Sequence, residues 1–228
     1  MAKQIPLDLG HKTSFNAADF LRLPCNDDAM EHLLNWPNWG AHAMALVGPS
    51  GSGKSHLAMV WAEKAGAIVW QEDSDIVSLG EGVAIVVDDA DSTSVTDEAL
   101  FHMYNWTKET RGSLLLTGQK APNLWDKKLP DLVSRLATLP VAEIGMPDEQ
   151  TLEIVLLKQL SDRQLSMDIK VISYLITHMN RSFEDIRLIV DAVDKLSLAK
   201  KNKITIPIVK DVMKAMEKNS IGYAEDIL

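Results

Sequence analysis

The chain has 228 residues, 46% hydrophobic and 24% charged, an ordinary balance for a globular protein with its own core. Its formal net charge of −9 opposes phosphate backbones, so non-specific nucleic-acid binding is not expected to be its main role. The single cysteine, Cys25, excludes an internal disulfide and fits a reducing cytoplasm, while Met1 to Gly10 lack the apolar core of a leader and no run is long enough to span a membrane.

Residues 1–13 are polar, contain Pro6 and Gly10, and read as an extended arm. A helical segment is predicted over Ala17–Leu34, ended by the turn-rich Asn35-Trp36-Pro37-Asn38-Trp39-Gly40. Trp36 and Trp39 are unusual in a loop and either cover a sheet edge or face a partner. Short apolar runs then alternate with helical ones. Strands are expected at Ala43–Val47, Ala67–Trp70, Val83–Val87, Leu114–Thr117 and Leu139–Ile144, the last weakened by Pro140. Helices are expected from within the glycine-rich loop to Lys64 and over Ala99–Thr110. This order predicts an α/β core, residues 14–146, with a five-stranded parallel sheet covered on both faces. From residue 147 to 228 apolar positions recur at helical spacing: Leu152, Val155, Leu156 and Leu160; Val171, Ile172 and Leu175; Ile186, Ile189, Val190 and Val193. Thr205 and Pro207 mark the start of a last helix carrying Val209, Val212 and Met213. A small all-helical domain follows the core, and Lys200, Lys201 and Lys203 read as a solvated helix end.

Gly48-Pro49-Ser50-Gly51-Ser52-Gly53-Lys54-Ser55 satisfies the Walker A pattern between a strand and a helix. The glycines turn backbone N–H groups toward phosphate oxygens, and the following helix aims its positive end at the same anion. Lys54 reaches the β- and γ-phosphates, and Ser55 offers a hydroxyl to Mg²⁺. His56, next on the helix, packs or touches nucleotide. Ala84-Ile85-Val86-Val87-Asp88-Asp89 is a Walker B pattern. Asp88 is the Mg²⁺ residue, and Asp89 is the candidate to orient the attacking water, a place that many P-loop ATPases fill with the longer Glu. Alternatively the two aspartates cap the strand end. Thr117, with Gln119 in reserve, is the candidate to sense the γ-phosphate, unless the strand merely turns there. Arg135 lies on a short helix within Asp131-Leu132-Val133-Ser134-Arg135-Leu136; it either completes a neighbour's site or pairs with Asp131 four residues earlier. Cys25 reads as a small buried residue, and the histidines have no metal-ligand spacing.

Taken together, these motifs, with Leu129-Pro130-Asp131-Leu132-Val133-Ser134-Arg135-Leu136 and the closing Ile204-Thr205-Ile206-Pro207-Ile208-Val209-Lys210, resemble the AAA+ domain of the DnaA family over about residues 14–218. The resemblance implies an AAA+ P-loop core followed by a helical lid. Two departures separate the chain from the initiators. No DNA-binding domain is expected after the lid, because the chain ends at Leu228, and only Gln71 to Gly82 stands where initiators insert extra helices before Walker B. The chain is more similar to the Hda family of DnaA-related regulators. Gln4-Ile5-Pro6-Leu7-Asp8-Leu9 is similar to their sliding-clamp-binding peptide: Gln4 offers hydrogen bonds, Leu7 and Leu9 are apolar anchors, and Pro6 restricts φ.

That resemblance implies a cytoplasmic protein loaded with ADP or ATP and Mg²⁺, ADP favouring the active monomer, bound to the DNA polymerase III β sliding clamp. It would contact DnaA and stimulate hydrolysis of the ATP that DnaA holds, with Arg135 as an arginine finger in trans, so that re-initiation is suppressed. Its own ATPase would be weak or absent. Homo-oligomers are possible on this reading, and direct sequence-specific nucleic-acid binding is not expected. At the family's lid-sensor arginine this chain has Glu184, flanked by Arg181 and Arg187; the two arginines either substitute or pair with Glu184. The competing function is a self-contained AAA+ ATPase acting as a replication loader or motor. A small-molecule kinase would need several arginines near the P-loop, and only Arg22 precedes Arg111.

Overall fold

A computed structural model describes residues 20–72, 74, 80–200 and 203–225, side chains at 197–200 and 217–225 excepted. The arm and its clamp-peptide candidates, Gln4 to Leu9, lie outside the described residues. The chain divides into two compact units, one ending at Met146 and the other running from Pro147.

The first unit begins with helix α1, Asp27–Leu34, shorter than the Ala17–Leu34 helix expected. The reason is local. Asn26 Oδ1 accepts the Leu23 N–H at 2.9 Å while Asn26 Nδ2 donates to the Leu21 carbonyl at 2.9 Å. These bonds, with Pro24, close a turn that competes with the helix. Then come β1 (Ala43–Val47), α2 (Lys54–Ala65), β2 (Ile68–Val69), β3 (Ala84–Val87), α3 (Asp97–Glu109), β4 (Ser113–Gly118), a single 3-10 turn at Pro122–Leu124, α4 (Pro130–Leu136) and β5 (Val141–Glu143). The strands form one sheet in the order β2-β3-β4-β1-β5, and every pairing is parallel. Pro140 stays outside β5, yet its carbonyl accepts the Ala45 N–H at 2.9 Å, so the strand starts as soon as a donor is available.

Every residue of β1 and β3 is buried, as a sheet covered on both faces requires. Alternation divides the core. Met44, Leu46, Val86 and Leu115 face α1 and α2, where they meet Leu33, Leu57 and Trp61. Ile85, Val87, Leu114 and Leu116 face α3 and α4, where they meet Leu100, Met103, Leu132 and Leu136. The two loop tryptophans belong to the first layer. Trp39 stacks on fully buried Trp61 at 5.0 Å between centroids, and Trp36 meets the same ring edge-on at 6.1 Å. Their indole N–H groups donate to the Leu33 carbonyl and to Ser113 Oγ, so both are packing residues of the core. Cys25 is half-buried rather than buried, because it lies in the turn ahead of α1.

The second unit is helical: α5 (Glu149–Asp162), α6 (Ile169–His178), α7 (Phe183–Lys200) and α8 (Ile206–Glu225). Asp148 and Asp168 cap α5 and α6 by accepting the N–H groups of Thr151 and Lys170, and Ser182 Oγ accepts those of Glu184 and Asp185. Leu152, Leu156, Leu175, Ile186, Val190 and Val209 form its separate apolar core. No helix among the described residues is long and apolar enough to cross a membrane.

Candidate nucleotide site and arginine

The glycine-rich loop links the carboxyl end of β1 to α2. Gly53 holds φ 90° as α2 begins and Gly51 holds φ 74°, both in the left-handed region that glycine occupies at little cost. Gly48 is demanded by space: a Cβ there would lie 2.8 Å from the Ile144 carbonyl oxygen and 2.9 Å from Ile144 Cβ. Phe20 packs across the start of α2, its ring 5.3 Å from that of His56 and 2.9 Å from where a Gly53 Cβ would stand.

Lys54 is folded back into the loop, where its Nζ donates to the carbonyls of Gly48 and Pro49 at 3.0 Å each. Burial holds its pKa below the ordinary lysine value, and the charges of Asp89, Asp91 and Asp88 oppose that shift. Ser52 Oγ is buried with no hydrogen-bond partner among the described residues, while Ser55 is exposed at the first turn of α2. Narrow glycines, a desolvated ammonium and an orphan hydroxyl facing the same loop fit a polyphosphate, whose oxygens would accept from all of them.

The ends of β3 and β4 meet beside this loop. Thr117, fully buried, donates its hydroxyl to Asp88 Oδ1 at 2.5 Å and accepts the Asp89 N–H at 2.8 Å. The Ala90 N–H bonds the Thr117 carbonyl at 2.8 Å. Thr117 is thus tied to both candidate aspartates and orients the Asp88 carboxylate. Asp89 has φ 48°, and its carboxyl pKa is raised, first by burial and then by the Asp88 charge, with Lys54 opposing. Gln119 is engaged through its backbone, its N–H bonding Asp91 Oδ2 at 2.7 Å. Asp91 is a further carboxylate that no motif marks: it follows the Walker B strand, meets the end of β4 at Gln119, and is close enough for its charge to act on Lys54. A Mg²⁺ here would be held by Ser55, Asp88 and phosphate oxygens. No group of three or more His, Cys, Asp or Glu among the described residues could hold an ion alone.

Arg135 stands apart from these groups. Its guanidinium lies over the rings of Phe101 (4.7 Å) and Tyr104 (5.2 Å) and donates to Asn105 Oδ1, all on α3. Its polar partner is Asn105, not Asp131. The three α3 residues share one helix face at i, i+3 and i+4, a spacing that only the packing of α4 turns into a cradle. In the second unit Arg187 pairs with Glu184 and with Asp191. Arg181 pairs with Glu149 at 2.5 Å, so of the two arginines only Arg187 forms an ion pair with Glu184 among the described residues. The cause is placement: Arg181 precedes α7 and reaches the start of α5, whereas Arg187 is one helical turn beyond Glu184.

Residues 148–213 match the family model of the Hda lid domain. A Haemophilus influenzae protein is 28% identical over 185 residues, covering 74% of this chain and 80% of its own. Domain III of the Thermotoga maritima replication initiation protein DnaA aligns over 93% of this chain and 98% of its own, with a TM-score of 0.71 at 16% identity. AMPPCP-bound DnaA from Aquifex aeolicus aligns over 84% of this chain and 69% of its own, with a TM-score of 0.61 at 20% identity. The five-stranded parallel sheet and its helices thus share the fold of DnaA domain III, and the helical unit matches the Hda lid domain.

Proposed function

We propose that this protein is a regulator of DnaA: loaded with ADP or ATP and Mg²⁺ and docked on the β sliding clamp through Gln4, Leu7 and Leu9, it presents Arg135 to ATP held by DnaA. Hydrolysis there forms a bond from water oxygen to the γ-phosphorus and breaks the bridge to the β-phosphate, leaving ADP and inorganic phosphate. Arg135 would stabilise the charge that builds during that exchange. The observation that carries this reading is the environment of Arg135. Among the described residues Arg22, Arg163, Arg181 and Arg187 each bond a carboxylate, whereas Arg111 and Arg135 have no ion pair. Arg135 rests on two aromatic faces and a neutral amide, so its charge is held in place but left uncompensated for an external anion.

In this reading Gly48 to His56 bind the protein's own nucleotide, Asp88 and Ser55 serve Mg²⁺, and Asp89 and Thr117 complete a site whose turnover is slow. The Thr117 hydroxyl engaged by Asp88, and a short Asp89 on a constrained backbone, support that division of labour. The test measures hydrolysis of DnaA-bound ATP in the presence of DNA-loaded clamp. The intact protein should accelerate it, while Arg135→Ala and the combined Gln4, Leu7 and Leu9 alanine variant should not. Acceleration by the Arg135→Ala variant would remove the finger. An intact protein that leaves DnaA unaffected but turns over ATP alone would establish the loader or motor instead.

A further inference from the structure

Two groups converge on Tyr104. Arg135 lies over its ring, and His42 meets the same ring at 4.5 Å between centroids with the planes 74° apart. His42 Nε2 also lies 3.2 Å from the Tyr104 carbonyl oxygen, so that nitrogen carries the hydrogen and donates it. The backbone of His42 belongs to the sheet, since its carbonyl accepts the Leu114 N–H at 2.8 Å just ahead of β1. A continuous path therefore runs from the sheet through His42 to α3, and from Tyr104 to the guanidinium on α4.

The charged groups facing His42 are Lys108 on α3 and Arg135 on α4. Burial first, and these two positive charges with it, hold its pKa below the ordinary imidazole value against the opposing bond to Tyr104. The ring is neutral at physiological pH and has one N–H to give, which the Tyr104 carbonyl takes.

We propose that His42 is a positioning residue for Arg135, acting through Tyr104: it anchors the tyrosine to the sheet and so sets the surface on which the guanidinium rests. The inference rests on the reading of Arg135 as an arginine lent to DnaA, and a small displacement of such a group is costly because its charge must meet the reacting phosphate.

Two measurements on the full-length protein separate the inference from that reading. In the clamp-dependent DnaA assay, His42→Ala should lower the stimulated rate at saturating protein about five-fold or more, with the half-saturating concentration unchanged. His42→Gln, whose amide can still donate to the Tyr104 carbonyl, should recover most of the rate. In ¹⁵N-arginine spectra, the guanidinium signal of Arg135, assigned by its loss in Arg135→Lys, should move in His42→Ala and return in His42→Gln. Nucleotide binding checks folding, and if His42→Ala does not fold, His42→Phe takes its place by keeping a ring and losing the donor. A His42→Ala variant as active as the intact protein, with Arg135→Ala inactive, overturns the inference and leaves the finger standing. If the intact protein does not stimulate DnaA, the finger falls, and the spectra decide alone: an unmoved Arg135 signal overturns the positioning role, and a displaced one sustains it.

Discussion

Thr117→Val isolates the contact on which the acidic end of the nucleotide site depends. The substitution nearly preserves shape at a position with no exposure, so the sheet keeps its packing and only the hydroxyl is lost. Two hydrogen bonds go with it: the 2.5 Å bond given to Asp88 and the 2.8 Å bond accepted from the Asp89 N–H. A bond to a charged group contributes about 1.5–3 kcal/mol and a neutral one about 0.5–1.5 kcal/mol. Asp88 is only half-buried and water can replace part of its loss, so the expected cost is about 2 kcal/mol, roughly thirty-fold in the folding equilibrium. Urea unfolding monitored by the tryptophans measures it, with Thr117→Ser as the control that retains the hydroxyl. Mg²⁺-nucleotide affinity should fall in parallel, because the carboxylate loses its orienting donor. A valine variant within about 0.5 kcal/mol of the parent, with unchanged Mg²⁺-nucleotide affinity, would show that the hydroxyl is a bystander at a strand end.

Other expectations follow from the same contacts. Gly48→Ala drives a Cβ against the Ile144 backbone, so the loop must shift at a cost of about 1–3 kcal/mol, and calorimetry should find nucleotide affinity reduced about ten-fold or more. His42 has a depressed pKa, so the native state binds fewer protons than the unfolded chain below the ordinary value of 6.5, and stability falls as pH drops through that value toward the native one. Denaturation midpoints against pH should flatten over that window in His42→Gln. In the lid, Arg187→Ala removes a half-exposed bridge and should cost about 0.2–1 kcal/mol. Asp191→Ala should cost more, about 1–3 kcal/mol, because it also strands Arg163, whose Nη1 is already buried with no partner among the described residues; equal losses in the two variants would remove that distinction.

The sheet was legible because each of its three central strands is an apolar run bounded by a turn signal, and the boundaries of β1 agree residue for residue with the expectation. The loop between β1 and α2 was equally legible, since Gly51 and Gly53 mark its left-handed turns. Legibility fails where contacts join distant segments. The expected first helix ran through residues 20–26, where the side-chain bonds of Asn26 close a turn that exists only once the chain has folded. Asp91 follows no motif, and its bond to Gln119 spans two strand ends. The cradle of Arg135 is the clearest case. Phe101, Tyr104 and Asn105 read as ordinary positions of an amphipathic helix, and nothing in the spacing says that α4 will lay an arginine across them. Asp131 was the natural partner by helix periodicity, but the ring faces of α3 hold the guanidinium instead.

Asp89 joins backbone conformation to chemistry. Its φ of 48° places a non-glycine residue in the left-handed region, where aspartate and asparagine are tolerated better than longer side chains. The Ala90 N–H bonds the Thr117 carbonyl and the Ser92 N–H bonds the Asp89 carbonyl, so the turn cannot relax without breaking the contact between β3 and β4. A short acid at this place is therefore accounted for by the turn, with no requirement that it activate water. Asp89→Gly tests this directly. Glycine relieves a left-handed strain of about 1–2 kcal/mol but adds about 0.5–1 kcal/mol of unfolded-chain entropy, so stability should change by roughly 0 to +1.5 kcal/mol. Removing a carboxyl whose pKa is raised by burial and by Asp88 acts in the same favourable direction at neutral pH. If the turn alone selects Asp89, the glycine variant will be as stable as the parent or more so, with any action on DnaA unchanged. If Asp89 orients a water, any hydrolysis by the protein itself will drop while its nucleotide affinity holds. A marked loss of stability would contradict both accounts, because it would mean that the carboxylate makes a stabilising contact that the geometry of this turn does not provide.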